Sequence, residues 1–217
     1  LIERKIINLA KFETVVLDEA DRMLDMGFIA DIKWMLALMP AKRQSLFFSA
    51  TLSPEINGLI SKFLKIPVTI SVKTRDTARS VDQDVVRVGG NERKIDALTR
   101  LLSKDDFNKV LIFGNTKHGV ERLSVDLSRL GFATESIHGN KNHSKRQRAL
   151  GQFKNNAVKI LVATDVAARG LDIADISHVI NYDLPATYED YIHRIGRTGR
   201  ADKYGKALTF ISSHSSI

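Results

Sequence analysis

The sequence predicts an α/β fold built on parallel sheets, and three observations predict it. Short runs rich in Val, Ile and Phe recur along the 217 residues. Several are apolar at every position, as strands buried on both faces are. Segments with apolar residues at helical spacing lie between them, and such alternation closes into right-handed crossovers onto a parallel sheet.

Strands are expected at TVVLD (14–18), SLFFSA (45–50), VTISV (68–72), DVVRV (84–88), KVLIF (109–113), ATESI (133–137), KILVA (159–163), HVINY (178–182) and ALTFI (207–211). The first helix, at 28–39, places Ile29, Ile32, Leu36 and Met39 on one stripe. A second starts at Ser53-Pro54, with serine as cap and proline in the first helical position. A third, at 91–102, carries Ile95, Leu98, Leu101 and Leu102. A fourth runs over 116–130 and stops at Gly131, a usual C-terminal glycine. The turn at His138-Gly139 precedes a helix with Lys145, Arg146 and Arg148 near its start. The polar stretch KTRDTARSV (73–81) reads as a linker, or else as a long loop within one domain. It separates a first part, 1–72, with three strands from a second, 82–217, with six, enough for a complete domain.

Composition narrows the function classes. Apolar residues make up 43% and charged residues 27%, a balance that supports a packed core and excludes a disordered chain. No apolar run approaches the roughly 18 residues of a membrane span. With no cysteine, disulfides, thiolate catalysis and cysteine-based zinc sites are excluded. Residue 1 is Leu rather than Met, which leaves targeting open. The net charge of +8 is spread over both parts, +3 across 1–80 and +5 across 81–217. That excess favours a nucleotide or nucleic-acid partner over a merely basic soluble protein.

Four segments carry chemistry. In VVLDEAD (15–21) an apolar strand runs into Asp18, Glu19 and Asp21. Carboxylates at the C-terminal end of a parallel strand stand where α/β folds bind ligands. One can hold Mg²⁺, and a neighbour can orient an attacking water. FFSAT (47–51) puts the hydroxyls of Ser49 and Thr51 at the same kind of strand end. ILVATDVAARGLDI (160–173) ends a strand at Thr164-Asp165 and enters a loop with Gly170 and Asp172. Hydroxyls and loop amides there can bind phosphate, and an aspartate can accept from ribose hydroxyls. HRIGRTGR (193–200) packs three arginines, whose forks match phosphate, among glycines that allow close approach. Three of them also have a plainer reading: an acidic helix start for DEAD, a polar strand end for FFSAT and a basic helix end for HRIGRTGR.

Together, and in this order, DEAD, SAT, TDVAARGLD and HRIGRTGR resemble the DEAD-box ATP-dependent RNA helicases of helicase superfamily 2. The resemblance covers essentially the whole chain. The spellings DEADRMLDMGF, PAKRQ and IHGNK are similar to those of the bacterial RhlE-type subgroup. The resemblance implies RecA-like parallel-sheet domains of the P-loop NTPase type, with ATP and RNA bound across a cleft. The first domain would be partial and the second complete. It implies that Asp18 holds Mg²⁺, Glu19 positions the hydrolytic water, and Arg197 and Arg200 act as arginine fingers. Gly170 and Asp172 would bind the nucleotide. Asp21, Ser49 and Thr51, answered by His193, would couple the nucleotide to domain closure. Thr116, Gly139, Arg146 and Thr164 would line the RNA backbone, reading phosphates and 2′-hydroxyls rather than sequence. Accessory proteins and a cytoplasmic location follow from the same resemblance.

Two departures qualify it. His143 stands where the family commonly has glutamine, three residues before Arg146. No GxxxxGK[ST] phosphate loop occurs in the 217 residues, so this stretch alone is expected to be inactive. A noncatalytic RNA-binding or adaptor module is the rival class, and a DNA-directed motor of the same superfamily a further one. A phosphate loop upstream would favour the enzyme.

Overall fold

The computed structural model describes residues 1–25, 27–49, 52, 54–71, 81–90, 92–168, 171, 173–199 and 204–212. The chain divides into two compact units, Leu1–Val72 and Lys73–Ile217.

In the first unit, β1 (Thr14–Leu17) pairs in parallel with β2 (Gln44–Phe47), Leu17 opposite Phe47. Helices α1 (Ala20–Asp25), α2 (Ile29–Ala37) and α3 (Pro54–Phe63) supply the rest of the packing. Alternation along the strands sends Leu17 and Phe47 to the helical side, where Leu17 joins Ile32, Leu36, Ile56 and Leu59 in a core. The other face is uncovered among the described residues: Val16 is 53% exposed, Leu46 39% and Phe48, just past β2, 54%. The expected strand at 68–72 is not formed at 68–71, and Val72 lies outside the described residues. Val68 and Ile70 are 86% and 79% exposed. Val and Ile favour a pleated, half-buried surface, and this run has no such surface against it among the described residues. Of the expected linker, 73–80 lie outside the described residues, and Val81 already opens the next strand.

The second unit is a six-stranded parallel sheet. Its strands are β3 (Val81–Val88), β4 (Val110–Phe113), β5 (Thr134–Ile137), β6 (Ile160–Ala163), β7 (His178–Asn181) and β8 (Gly205–Ser212). Their spatial order is β3-β8-β7-β4-β6-β5, every neighbouring pair parallel. Its helices are α4 (Lys94–Leu102), α5 (Lys117–Arg129), α6 (His143–Lys154), the short α7 (Asp165–Ala168) and α8 (Tyr188–Ile195). All four residues of β4, β6 and β7 are buried, as the unbroken apolar spelling of β4 and β6 predicts; in β7 the polar His178 and Asn181 are buried with Val179 and Ile180. Successive residues of β4 serve opposite faces. Val110 and Ile112 pack with Leu98 and Leu127, Leu111 and Phe113 with Phe153 and Ala167. Two cores thus sandwich one sheet.

Caps set the helix starts. Thr116, Asn142 and Thr187 each accept a backbone N–H from the third residue on, at 3.0, 2.9 and 3.0 Å. Gly131 ends α5 at φ +89°, in the left-handed region that suits glycine. The chain passes from β4 out to β5 and returns through β6, then crosses β4 to β7. The C-terminal ends of β4 and β7 therefore form a switch point, where open α/β sheets place their ligands.

Candidate functional site

The acidic segment of the first unit is built around one unusual backbone angle. Glu19, two residues past the end of β1, sits at φ +48°, a region non-glycine residues rarely enter. The turn there brings Ala20 N–H to Phe48 O at 3.0 Å, while Phe48 N–H donates to Leu17 O at 2.8 Å. Asp21 is buried, and its N–H donates to Ser49 Oγ at 3.3 Å. Strain of this kind, on the order of 1–3 kcal/mol, persists only where neighbours enforce it. Here the DEAD and SAT segments are stitched together by it. Thr51 lies outside the described residues.

Asp18 is exposed and uses Oδ1 to accept Glu19 N–H at 2.9 Å. Its other oxygen has no hydrogen bond among the described residues. An exposed carboxylate oxygen at a strand end fits Mg²⁺, which keeps several waters and takes one or two carboxylates plus phosphate oxygens. Among the described residues no three His, Cys, Asp or Glu cluster to hold a metal on their own.

In the second unit the arginine-rich segment divides into different jobs. Arg194 is 1% exposed, and all five of its N–H groups are used. Nε and Nη2 donate to the two Asp165 oxygens at 2.6 and 2.8 Å. Nη2 also reaches Asn115 Oδ1 at 2.9 Å, and Nη1 reaches Asp183 O at 2.7 Å and Asn181 Oδ1 at 3.3 Å. These partners sit at the C-terminal ends of β4, β6 and β7, so one guanidinium pins all three to α8. Sequence reasoning missed this role. The signal present was an arginine on a helix whose Ile195 neighbour is apolar, with Asp165 and Asn115 waiting at strand ends.

Past α8 the segment leaves the switch point. Arg197 is half-buried and donates from Nε to His193 O and from Nη1 to Leu171 O, both at 3.3 Å. Thr198 is buried, and its hydroxyl donates to Ile176 O, just before β7. A Cβ on Gly205, the first residue of β8, would stand 2.4 Å from Gly199 N, so only glycine admits this packing. His193 lies in the last turn of α8. Arg200, Gly170 and Asp172 lie outside the described residues.

The expected RNA-facing residues cluster at the β4–β6–β5 side. Thr116 caps α5, Gly139 is exposed in the turn after β5, and Arg146 lies in the first turns of α6. Thr164 follows β6, its N–H donating to Ile137 O at 3.3 Å. No hydrogen bond or ion pair of the Arg146 side chain occurs among the described residues. Beneath the turn, Asn140 N–H donates to His138 Nδ1 at 3.3 Å, so the Nε2 proton of His138 points to Glu121 at 3.0 Å. Ser136 Oγ donates to the same carboxylate at 2.5 Å, and Lys141 Nζ lies 3.4 Å from it. The Ser136 hydroxyl, then His138 and Lys141, hold the Glu121 pKa down at about 2 against partial burial.

Two family descriptions match this chain: the DEAD/DEAH box helicase over residues 1–59 and the helicase conserved C-terminal domain over residues 93–202. The chain belongs to the DEAD-box helicase family. ATP-dependent RNA helicase CshA of Limosilactobacillus reuteri is 46% identical over 212 residues, covering 97% of this chain and 42% of that protein. DEAD-box ATP-dependent RNA helicase CshA of Bacillus subtilis is 46% identical, covering 97% and 43%. The chain thus spans less than half the length of these curated relatives. These relatives are CshA proteins, and the expected RhlE-type subgroup finds no support in them. Among solved structures, S. cerevisiae Dbp5 bound to RNA and ADP BeF3 is 31% identical with a TM-score of 0.84, covering 98% of this chain and 56% of that one. The α/β, RecA-like fold expected from the sequence is therefore the fold of this family.

Proposed function

We propose that the protein carrying this chain is an ATP-dependent RNA helicase that hydrolyses ATP to open short RNA duplexes and remodel RNA–protein complexes. The observation that carries the reading is the DEAD turn: Asp18 and Glu19 presented at the end of a parallel strand, with Asp21 tied to Ser49. In this reading Asp18 would hold Mg²⁺, which supplies charge neutralisation at the phosphate oxygens when bound. Glu19 orients and deprotonates the attacking water. Arg197 and Arg200 meet the charge that develops on the transferred phosphoryl group. Fingers of this kind are worth roughly 10³–10⁵ in rate in related phosphoryl-transfer enzymes. His193, Asp21, Ser49 and Thr51 couple the nucleotide to closure of the two units, and Gly170 and Asp172 contact it. Thr116, Gly139, Arg146 and Thr164 hold the RNA backbone without reading sequence.

The adaptor reading is weaker, because an adaptor has no use for Glu19 in a strained turn. The experiment is RNA-stimulated ATPase of the full-length protein, with DNA as control. Turnover stimulated by RNA and abolished by Glu19→Gln supports the enzyme; RNA binding with no turnover supports the adaptor; equal stimulation by DNA supports the DNA motor. The 217-residue chain alone, with no phosphate loop in it, is expected to show no RNA-stimulated turnover.

A further inference from the structure

A hollow of about 370 Å³ opens between the first turns of α5 and α6, beside the edge strand β5, lined by Lys117, His138, Asn140 and Lys145, the sequence neighbours of Thr116, Gly139 and Arg146. Its floor carries two carboxylates that are already balanced. Glu121 takes Ser136, His138 and Lys141, and Glu135 lies 3.8 Å from Lys141 Nζ and 3.5 Å from Arg148 Nη2. Lys117 and Lys145 line the same hollow from opposite helices, both exposed. Neither ammonium makes a hydrogen bond or ion pair among the described residues. Neither helix has an acidic residue in its first turn, and the helix dipole disfavours cations there. Among the described residues no partner accounts for these two lysines.

We propose that this hollow holds one further backbone phosphate of the RNA strand, gripped by Lys117 and Lys145, beyond the contacts of Thr116, Gly139, Arg146 and Thr164. The proposal rests on the RNA reading above. The residual positive charge asks for an anion, and the hollow is lined by residues adjoining Thr116, Gly139 and Arg146 in sequence, three of those read as holding RNA backbone. The neutralised floor removes the repulsion that Glu121 and Glu135 would otherwise exert. The two ammoniums act as point charges, so the contact adds affinity without sequence preference.

The test is a salt titration of single-stranded RNA binding by the full-length protein, read by fluorescence anisotropy. In the Lys117→Ala/Lys145→Ala variant the slope of log Kobs against log salt is expected to fall by about 0.7, the value for one phosphate on a single strand. Its melting temperature should match wild type. An RNA carrying one methylphosphonate linkage, moved along the strand, should weaken wild-type binding at a position where it no longer weakens the double variant. An unchanged slope in the double variant, with Arg146→Ala still lowering it, overturns this site and leaves the RNA reading standing. Absence of salt-dependent RNA binding by wild type removes both.

Discussion

Arg194 shows how one residue in a repetitive string can differ from its neighbours. Among the described residues it is the most enclosed charge of the second unit, and removing it leaves the partly buried Asp165, 24% exposed, without its partner. Arg194→Ala is expected to destabilise that unit by about 3 kcal/mol, the lower end for breaking a buried ion pair, since water reaches the Asp165 carboxylate. Arg197→Ala should leave the urea midpoint near wild type while removing most ATPase activity of the full-length protein. Equal loss of stability in both variants would contradict this division. His178 gives a second residue-scale prediction. It is buried and stacked on Phe107 with ring centroids 3.8 Å apart. Burial pushes its pKa below the ordinary 6.5, Asp106 opposes this and Lys206 adds to it. A depressed folded pKa means the unfolded chain takes up the proton first. The contribution is thus intact above pH 6.5 and lost as pH falls through the folded value. Urea midpoints at about pH 7.5 and about pH 5.5 should differ less in His178→Phe than in wild type. The acidic residues were legible because DEAD and SAT are short contiguous strings at strand ends. Arg194 was not, because burial is a property of the folded whole, and an arginine among arginines reads as a phosphate contact.

At the scale of elements, the strands that close the sheet were readable from composition alone. VLIF and ILVA have no polar face to offer water, so they had to be central, while HVIN buries two polar residues, His178 and Asn181, beside its apolar pair. VTISV alternates apolar and polar residues, the spelling of a half-buried strand, yet forms no strand at 68–71, since a strand needs a neighbour to pair with and the spelling does not supply one. The left-handed Glu19 likewise left no trace in the sequence. Hydrogen exchange is expected to be slowest at the amides of β4, β6 and β7 and faster along β1, whose outer face includes the half-exposed Val16. Equal protection in β1 and β4 would contradict the burial seen. Ile112→Ala, which empties a fully buried site between two helices, should cost about 2–5 kcal/mol by denaturant titration.

For the whole molecule, the function proposed lies in two units that each carry part of the machinery. The first holds acidic groups at a strand end, and the second holds arginines on a segment anchored by Arg194 and Thr198. Neither charge cluster alone identifies the family, and the resemblance rested on the ordered set of segments. The central claim is that Glu19 and Arg200 serve one hydrolytic event. Residues that act as a unit are grossly non-additive when removed together. The deciding measurement is RNA-stimulated ATP turnover by the full-length protein and by Glu19→Gln, Arg200→Ala and the double variant. The account predicts that each single variant loses most of the activity and that the double variant is little worse than either. Losses that multiply, or an Arg200→Ala variant that turns over ATP like wild type, would contradict it.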